Sequence, residues 1–146
     1  MQNSCLDSKS IMKTPIVYSK TIIVDDAVID HFNHVNNLAY VRWALEISKE
    51  HWNSFTTKDI QNTYGWMIMK HDLTYLKQAK LGDKLLLKTH IQDYSTATSV
   101  RKTQILFKEN NEVIFESLAK WCFVKLDTQK PTRITEDILK PFYIAQ

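Results

Sequence analysis

Cysteine and long apolar runs are both scarce in this sequence of 146 residues. The two cysteines are Cys5 and Cys122, and no Cys-x-x-Cys pair occurs, which excludes a disulfide-dense scaffold and a zinc ribbon. No apolar run approaches the roughly 20 residues that span a bilayer, and residues 1–10 contain no apolar core of a secretory signal. We therefore expect a cytoplasmic protein that does not enter a membrane.

A large excess of charge of either sign is also missing. The sequence has 19 Lys and Arg residues against 16 Asp and Glu residues, a net charge of +3, and the basic residues are scattered. This pattern argues against a nucleic-acid partner, which favours a clustered basic face. Apolar residues make up 44% of the chain, enough for one buried core. We predict a single domain over residues 1–146, with residues 1–13 as a flexible N-terminal segment.

The periodicity of apolar residues predicts one long helix, over residues 37–53, within a series of strands. The polar residues of this helix are Arg42, Glu46, Lys49 and Asn53. Their spacing of four, three and four places them in one narrow stripe, so the remaining apolar surface needs a covering layer. Strands are predicted over residues 14–24, 66–77, 84–91, 99–108 and 112–126, with a short helical piece near 135–139. This order favours an α+β fold in which an antiparallel sheet wraps around one long central helix.

The densest polar segment, residues 30–37, lies directly before this helix. Asn36 or Asn37 is a suitable N-cap, because an Asn side chain accepts from the free N–H groups of the first turn. The same N–H groups and the helix dipole stabilise an oxyanion or a bound carbonyl. A carboxylate just upstream, Asp30, can act as a general base or a nucleophile on that carbonyl. An ordinary capped loop with no chemistry is the alternative interpretation of the same residues.

The segment resembles a known signature, D-x-x-G-H-V-N-N-x-x-Y, of hotdog-fold acyl-CoA thioesterases of the 4-hydroxybenzoyl-CoA thioesterase family. The matching residues are Asp30, Asn33-His34-Val35-Asn36-Asn37, Tyr40, Trp43 and Glu46. Further similarity lies in Tyr75-Leu76, Ala79, Gly82-Asp83, Leu85 and Arg133-Ile134, so the resemblance covers residues 14–139. Asn33 stands where the family usually has Gly, and Asn also tolerates a left-handed backbone.

The resemblance implies a hotdog fold and hydrolysis of an acyl-CoA to a free acid and CoA. It assigns Asp30 as the catalytic carboxylate and the Asn37 backbone N–H as the group that polarises the thioester carbonyl. His34 matches a histidine within the same motif of plant acyl-carrier-protein (ACP) thioesterases and becomes a second catalytic candidate. Asn33, Asn36, Asn37 and Tyr40 become candidate substrate-binding residues. No cofactor is implied, and the expected assembly is a homodimer or a homotetramer.

Three alternatives to an acyl-CoA hydrolase are considered. A non-catalytic acyl-CoA-binding hotdog module would not need Asp30, and an acyl-ACP thioesterase would use the same machinery on another carrier. A hotdog hydratase normally carries an Asn-Pro pair, which this sequence lacks. A metal on Asp30, His31 and His34 is disfavoured, because three potential ligands in one short loop are weak support for a metal site.

Two expectations concern how the ligand is held. Phosphates of CoA are expected to contact local cations such as Arg101, Lys102 or Lys70, because the net charge is small. The acyl group is expected among aromatic and Met side chains such as Trp66, Met67 and Met69.

Overall fold

A computed structural model describes residues 14–145, so the predicted flexible segment 1–13 lies outside the described residues. The long helix is α1 (Asn37–Phe55), followed by the short α2 (Lys58–Thr63) and, near the C-terminus, α3 (Glu136–Leu139). The strands are β1 (Thr14–Pro15), β2 (Tyr18–Ile23), β3 (Tyr64–Tyr75), β4 (Lys84–Tyr94), β5 (Thr98–Phe107), β6 (Val113–Lys125) and β7 (Tyr143–Ile144).

Five of the strands form one antiparallel sheet in the order β2-β4-β5-β6-β3, and β1 pairs with β7 separately. Strands β2 and β3 are therefore the two edges of the main sheet. The predicted order of elements is confirmed with three differences: the predicted strand 14–24 is divided into β1 and β2, β7 was not expected, and neither was α2. Its six residues are too few to show a helical period, and its start depends on one capping bond, from Ile60 N–H to the Thr57 hydroxyl.

Helix α1 packs one face against the sheet. Its buried residues are Ala39, Tyr40, Ala44, Ile47, His51 and Trp52. The first turns contact sheet residues such as Leu87 and Phe115, and the last turns contact Phe142, whose ring stacks on Trp52 at 5.7 Å. The predicted α+β packing of an antiparallel sheet on one long helix is confirmed.

The opposite face of α1 is not covered within the chain. Leu38 is 66% exposed and Leu45 is 38% exposed, and they lie beside the exposed polar residues Arg42, Glu46 and Lys49. The sheet thus covers the helix on one side rather than around its whole circumference. Within residues 14–145, no helix is long and apolar enough to cross a membrane.

Candidate active site

The loop before α1 folds back on itself at Asp30. A bridge pairs Ile29 with Val35, the Asp30 N–H donates to the His34 carbonyl at 2.8 Å, and the Asn33 N–H donates to the Asp30 carbonyl at 3.1 Å. Closing so short a turn requires a left-handed residue, and Asn33 has φ = 64°. The expectation that Asn33 replaces Gly in a left-handed position is confirmed.

The Asp30 carboxylate is held by backbone donors of this turn. Its Oδ1 atom accepts from the Phe32 N–H at 2.9 Å and from the His34 N–H at 3.2 Å. Among the described residues, nothing donates to Oδ2, and the side chain is half-buried. The carboxylate is therefore oriented through one oxygen while the other is available to a ligand or a water molecule.

The start of α1 supplies one unused donor next to this turn. The Asn36 side chain caps the helix by accepting from the Leu38 N–H at 2.8 Å, which confirms the predicted N-cap. The Asn37 N–H has no acceptor within residues 14–145. A helix of 19 residues adds a partial positive charge at this end, so Asn37 N–H is suited to bind a carbonyl oxygen or an oxyanion.

Contacts from the rest of the chain fix the loop relative to the helix. The Asn36 N–H donates to the Val28 carbonyl at 2.7 Å, and the Val35 N–H donates to the Ala79 carbonyl at 3.1 Å. From the other direction, the Tyr75 hydroxyl donates to the Asn37 carbonyl at 3.1 Å. These bonds tie the catalytic candidates to β3 and to the segment after it, so the site does not depend on a free loop.

The remaining site residues that the sequence predicts differ in solvent exposure. His34 is half-buried, and Asn33, Asn36 and Asn37 are exposed, so all four are accessible to a ligand beside the Asp30 turn. Tyr40 is only 1% exposed, and its hydroxyl accepts from the Ala79 N–H at 2.9 Å. Its ring stacks on Phe115 at 5.5 Å. Within the described chain, Tyr40 therefore packs in the core and binds the Ala79 N–H, and its contact with substrate stays a prediction.

A cavity of about 580 Å³ lies further along α1, between its second half, α2 and the sheet. Its walls are largely aromatic and aliphatic, with Leu45, Trp52, Trp66, Ile91 and Trp121 among the lining residues. The residues of the Asp30 turn do not line it. A shallow groove on the exposed outer face of α1, which begins at Leu38, shares Leu45 and Lys49 with the cavity.

The structure changes both expectations about ligand contacts. Met67 and Met69 are 53% and 58% exposed on the edge strand β3, and only Trp66 of the three predicted acyl contacts lines the cavity. Arg101 is 6% exposed and lines the cavity from inside, so it cannot contact a phosphate at the surface.

Sequence reasoning missed the partners of Arg101. Its Nη1 donates to His51 Nδ1 at 2.8 Å and to the Thr89 hydroxyl at 3.1 Å, and burial lowers the pKa of His51 to about 3. A signal existed: strand alternation that buries Ile105 also turns Thr103 and Arg101 inward. No group of three or more His, Cys, Asp or Glu residues in the described part of the chain is arranged to hold a metal ion.

Comparison with known proteins identifies the class. Solved structures with this fold include hypothetical protein SAV2348 from Staphylococcus aureus in complex with CoA (TM-score 0.79, 18% identity, covering 87% of this chain and 82% of that one). A second is Slr0204, a 1,4-dihydroxy-2-naphthoyl-CoA thioesterase from Synechocystis (TM-score 0.75, 15% identity, 87% and 96% covered). A third is the 12:0-ACP thioesterase from Umbellularia californica (TM-score 0.75, 13% identity). The match covers 89% of this chain and 51% of that one.

The family model for the acyl-ACP thioesterase N-terminal domain matches residues 15–142. The fold and this match define a hotdog-fold thioester hydrolase, which confirms the predicted fold and enzyme class. The chain belongs to the acyl-ACP thioesterase N-terminal domain family. Among proteins with curated functions, none matches the sequence.

Proposed function

We propose that this protein hydrolyses an acyl-CoA, with Asp30 as the catalytic carboxylate and the Asn37 N–H as the oxyanion donor. The observation that carries the proposal is an oriented carboxylate in the turn directly before a helix whose first N–H group is unused. Asp30 is oriented through Oδ1 by two backbone N–H groups, and the Asn37 N–H has no acceptor in the described chain. A carboxylate with one open oxygen and a preorganised donor are what hydrolysis of a thioester requires.

The chemistry follows from these two groups. As a general base, Asp30 takes a proton from a water molecule while the water oxygen attacks the thioester carbonyl carbon. The carbonyl oxygen then carries negative charge, which the Asn37 N–H and the α1 dipole stabilise. Collapse of the tetrahedral species breaks the carbon–sulfur bond, and the leaving thiolate receives the proton. As a nucleophile, Asp30 would instead form a mixed anhydride that water then hydrolyses.

His34 acts in this proposal as a residue that positions the turn or the substrate. Its backbone N–H and carbonyl both bond to Asp30, so the two residues are fixed relative to each other. Asn33 and Asn36 shape the same surface, one through its left-handed backbone and the other through the helix cap.

Two observations bear on the carrier. The S. aureus structure of similar fold contains CoA, and the Synechocystis relative acts on a CoA thioester, which together with the resemblance to 4-hydroxybenzoyl-CoA thioesterases favours acyl-CoA. The family match is to a domain named for acyl-ACP, so an acyl-ACP substrate is the second candidate.

A thiol-release assay with purified protein tests the proposal. Acyl-CoA and acyl-ACP thioesters of the same acyl groups are compared under one set of conditions. We expect free thiol from acyl-CoA at a higher kcat/KM than from acyl-ACP. Release only from acyl-ACP would favour the second candidate, and CoA binding without release from either carrier would favour a non-catalytic binding module.

We also propose that the chain assembles as a homodimer or a homotetramer. Strand β3 is an edge of the sheet, and its consecutive residues Met67, Ile68 and Met69 are 53%, 45% and 58% exposed. An apolar edge strand with unpaired backbone groups is a template for pairing with another strand, and a second copy of the chain covers it symmetrically.

A further inference from the structure

Arg101 lies in the core with hydrogen-bonding capacity that the described chain leaves unused. Its side chain, on β5, is 6% exposed and lines the cavity. A guanidinium has five N–H donors. Nη1 uses both of its donors, on His51 Nδ1 and on the Thr89 hydroxyl. The three N–H groups on Nε and Nη2 have no acceptor within residues 14–145.

Both acceptors that the described chain offers to Arg101, His51 Nδ1 and the Thr89 hydroxyl, are used by Nη1. Arg has no acceptor atom, so His51 Nδ1 accepts and the proton of the neutral ring is on Nε2. Two buried side-chain nitrogens have no partner among the described residues, His51 Nε2 and Trp121 Nε1. Neither of these fully buried nitrogens belongs to Arg101, although its Nε and Nη2 also lack an acceptor. Nε and Nη2 are therefore not fully enclosed, and because Arg101 lines the cavity, their N–H groups face it.

The charge of the residues that line the cavity also favours an anionic ligand. Arg101 and Lys49 line it, and no Asp or Glu does. Arg101 forms no ion pair within the described chain. Burial lowers the pKa of Arg101 to about 10, so the group is still a cation at neutral pH. A buried cation without a counter-ion is strongly unfavourable, and a bound anion relieves that penalty.

We propose that the cavity receives the far end of the acyl group through a terminal carboxylate seated on Arg101. This inference rests on the proposed thioesterase function and narrows its substrate class to thioesters of long dicarboxylic acids. The aromatic walls bury the methylene chain, and the free N–H groups of the guanidinium bind the carboxylate.

The position of Arg101 sets the length of such a ligand. Arg101 bonds to His51, which follows Asn37 by 14 residues, or about 21 Å along the helix at its usual rise. The shallow groove on the outer face of α1 shares Leu45 and Lys49 with the cavity, and its lining combines Leu38, Val41 and Leu45 with the charged Arg42, Glu46 and Lys49. A long chain spans the two sites, whereas a short diacid does not.

The test compares hexadecanedioyl-CoA, as the mono-thioester, with hexadecanoyl-CoA, which lacks the second carboxylate. We expect the wild-type protein to prefer the diacid thioester about tenfold or more in kcat/KM, the range of a charge-assisted hydrogen bond. Arg101→Gln should abolish the preference. Lys120→Gln is the matched control, since it removes one positive charge from an exposed position of the neighbouring strand β6, next to the Ala119 that pairs with Arg101.

Circular dichroism shows whether Arg101→Gln is folded. If it is not, a second variant provides the test. Arg101→Lys keeps a positive charge but loses the planar pair of donors, and it should reduce the preference severalfold. Equal kcat/KM for the two thioesters, or a preference unchanged in either folded variant, would overturn the inference while leaving the thioesterase proposal intact.

If wild-type protein hydrolyses neither thioester, the proposed function fails, and direct binding then decides the inference. Calorimetry with hexadecanoate and with methyl hexadecanoate, which has the same chain but no carboxylate, should show tighter binding of the acid to wild type and to Lys120→Gln, and equal binding to Arg101→Gln. Equal binding of the acid and the ester to the wild-type protein would overturn the inference.

Discussion

At the residue scale, single backbone and side-chain features determine the geometry of the site. Asn33 adopts the left-handed conformation that closes the Asp30 turn, and Asn36 caps the helix next to the proposed oxyanion donor, the Asn37 N–H. Away from the turn, His51 is fully buried against Arg101. Substitutions of these residues lead to predictions that can be tested without knowing the natural substrate.

The first residue-scale prediction concerns Asn33. Asn33→Gly should keep stability and activity, because Gly adopts φ = 64° without strain. Asn33→Ala should lower the free energy of unfolding by about 1 kcal/mol, the usual cost of a left-handed backbone for a residue with Cβ, and should reduce activity by distorting the turn. Urea denaturation and thiol release measure the two effects. Equal stability of the Ala and Gly variants would contradict the assigned backbone conformation.

The second residue-scale prediction concerns His51, whose pKa is lowered to about 3 by burial and by the neighbouring charges of Arg101 and His90. The unfolded chain binds a proton near the ordinary pKa of 6.5, but the folded chain does so only near 3. Stability is therefore fully present above pH 6.5 and falls as the pH drops toward 3, by up to about 1.4 kcal/mol per pH unit from this group.

Denaturation at a series of pH values checks this dependence. His51→Gln should show a shallower loss of unfolding free energy between pH 6.5 and 4 than the wild type, whatever its stability at pH 7. His90→Gln is a useful comparison, because burial also lowers the pKa of that residue. An identical slope in wild type and His51→Gln would contradict the burial of a neutral His51.

At the element scale, α1 connects the Asp30 turn to the cavity. Its first turn presents the free Asn37 N–H, and its second half forms one wall of the cavity. The helix also contributes its dipole, which favours negative charge at the Asn37 end. The start of α1 is therefore where stability and catalysis can be separated experimentally.

The prediction at this scale uses Asn36. Asn36→Ala removes the cap on the Leu38 N–H and should cost about 1 kcal/mol of stability. Asn36→Asp keeps a good cap but adds a negative charge beside the proposed oxyanion, so stability should persist while kcat falls about tenfold or more. Thermal melting and kcat are measured together. Unchanged kcat in a well-folded Asn36→Asp would argue against an oxyanion site at the helix start.

Periodicity and capping in the sequence were enough to predict this element and most of the strands. The spacing of Arg42, Glu46 and Lys49 predicts a helix over 37–53, and the structure extends it by two residues to Phe55. The buried polar pair of His51 and Arg101 was missed because nothing local in the sequence shows that two residues 50 positions apart meet. Tyr40 was expected at the substrate because the motif includes it, but only the fold shows that its hydroxyl is used by Ala79.

At the scale of the whole molecule, the edge strand β3 and the outer face of α1 both expose apolar side chains that another protein surface would bury. Met67, Ile68 and Met69 form one apolar strip on β3, and Leu38 and Leu45 lie on α1. A single chain leaves both open, which is the physical basis for the proposed homo-oligomer.

Light scattering of the purified protein tests the assembly. We expect a mass of at least twice 17.1 kDa at micromolar concentration. Ile68→Lys should shift the mass toward the monomer by placing a charge in the strip. Val17→Lys is the matched control, because Val17 is similarly exposed, at 47%, but lies outside both edge strands. A stable wild-type monomer would contradict the proposal.

The most direct test of the central claim, that the Asp30 turn is the catalytic site, is the rate of thiol release by Asp30→Asn. The substitution keeps the side-chain shape and an acceptor oxygen for the Phe32 and His34 N–H groups, but removes the base. Asp26→Asn, an exposed carboxylate in the same loop, is the matched control. We predict that kcat for acyl-CoA falls by at least about 10²-fold in Asp30→Asn, with wild-type stability, and is unchanged in Asp26→Asn. Wild-type turnover in a folded Asp30→Asn protein would contradict the assignment.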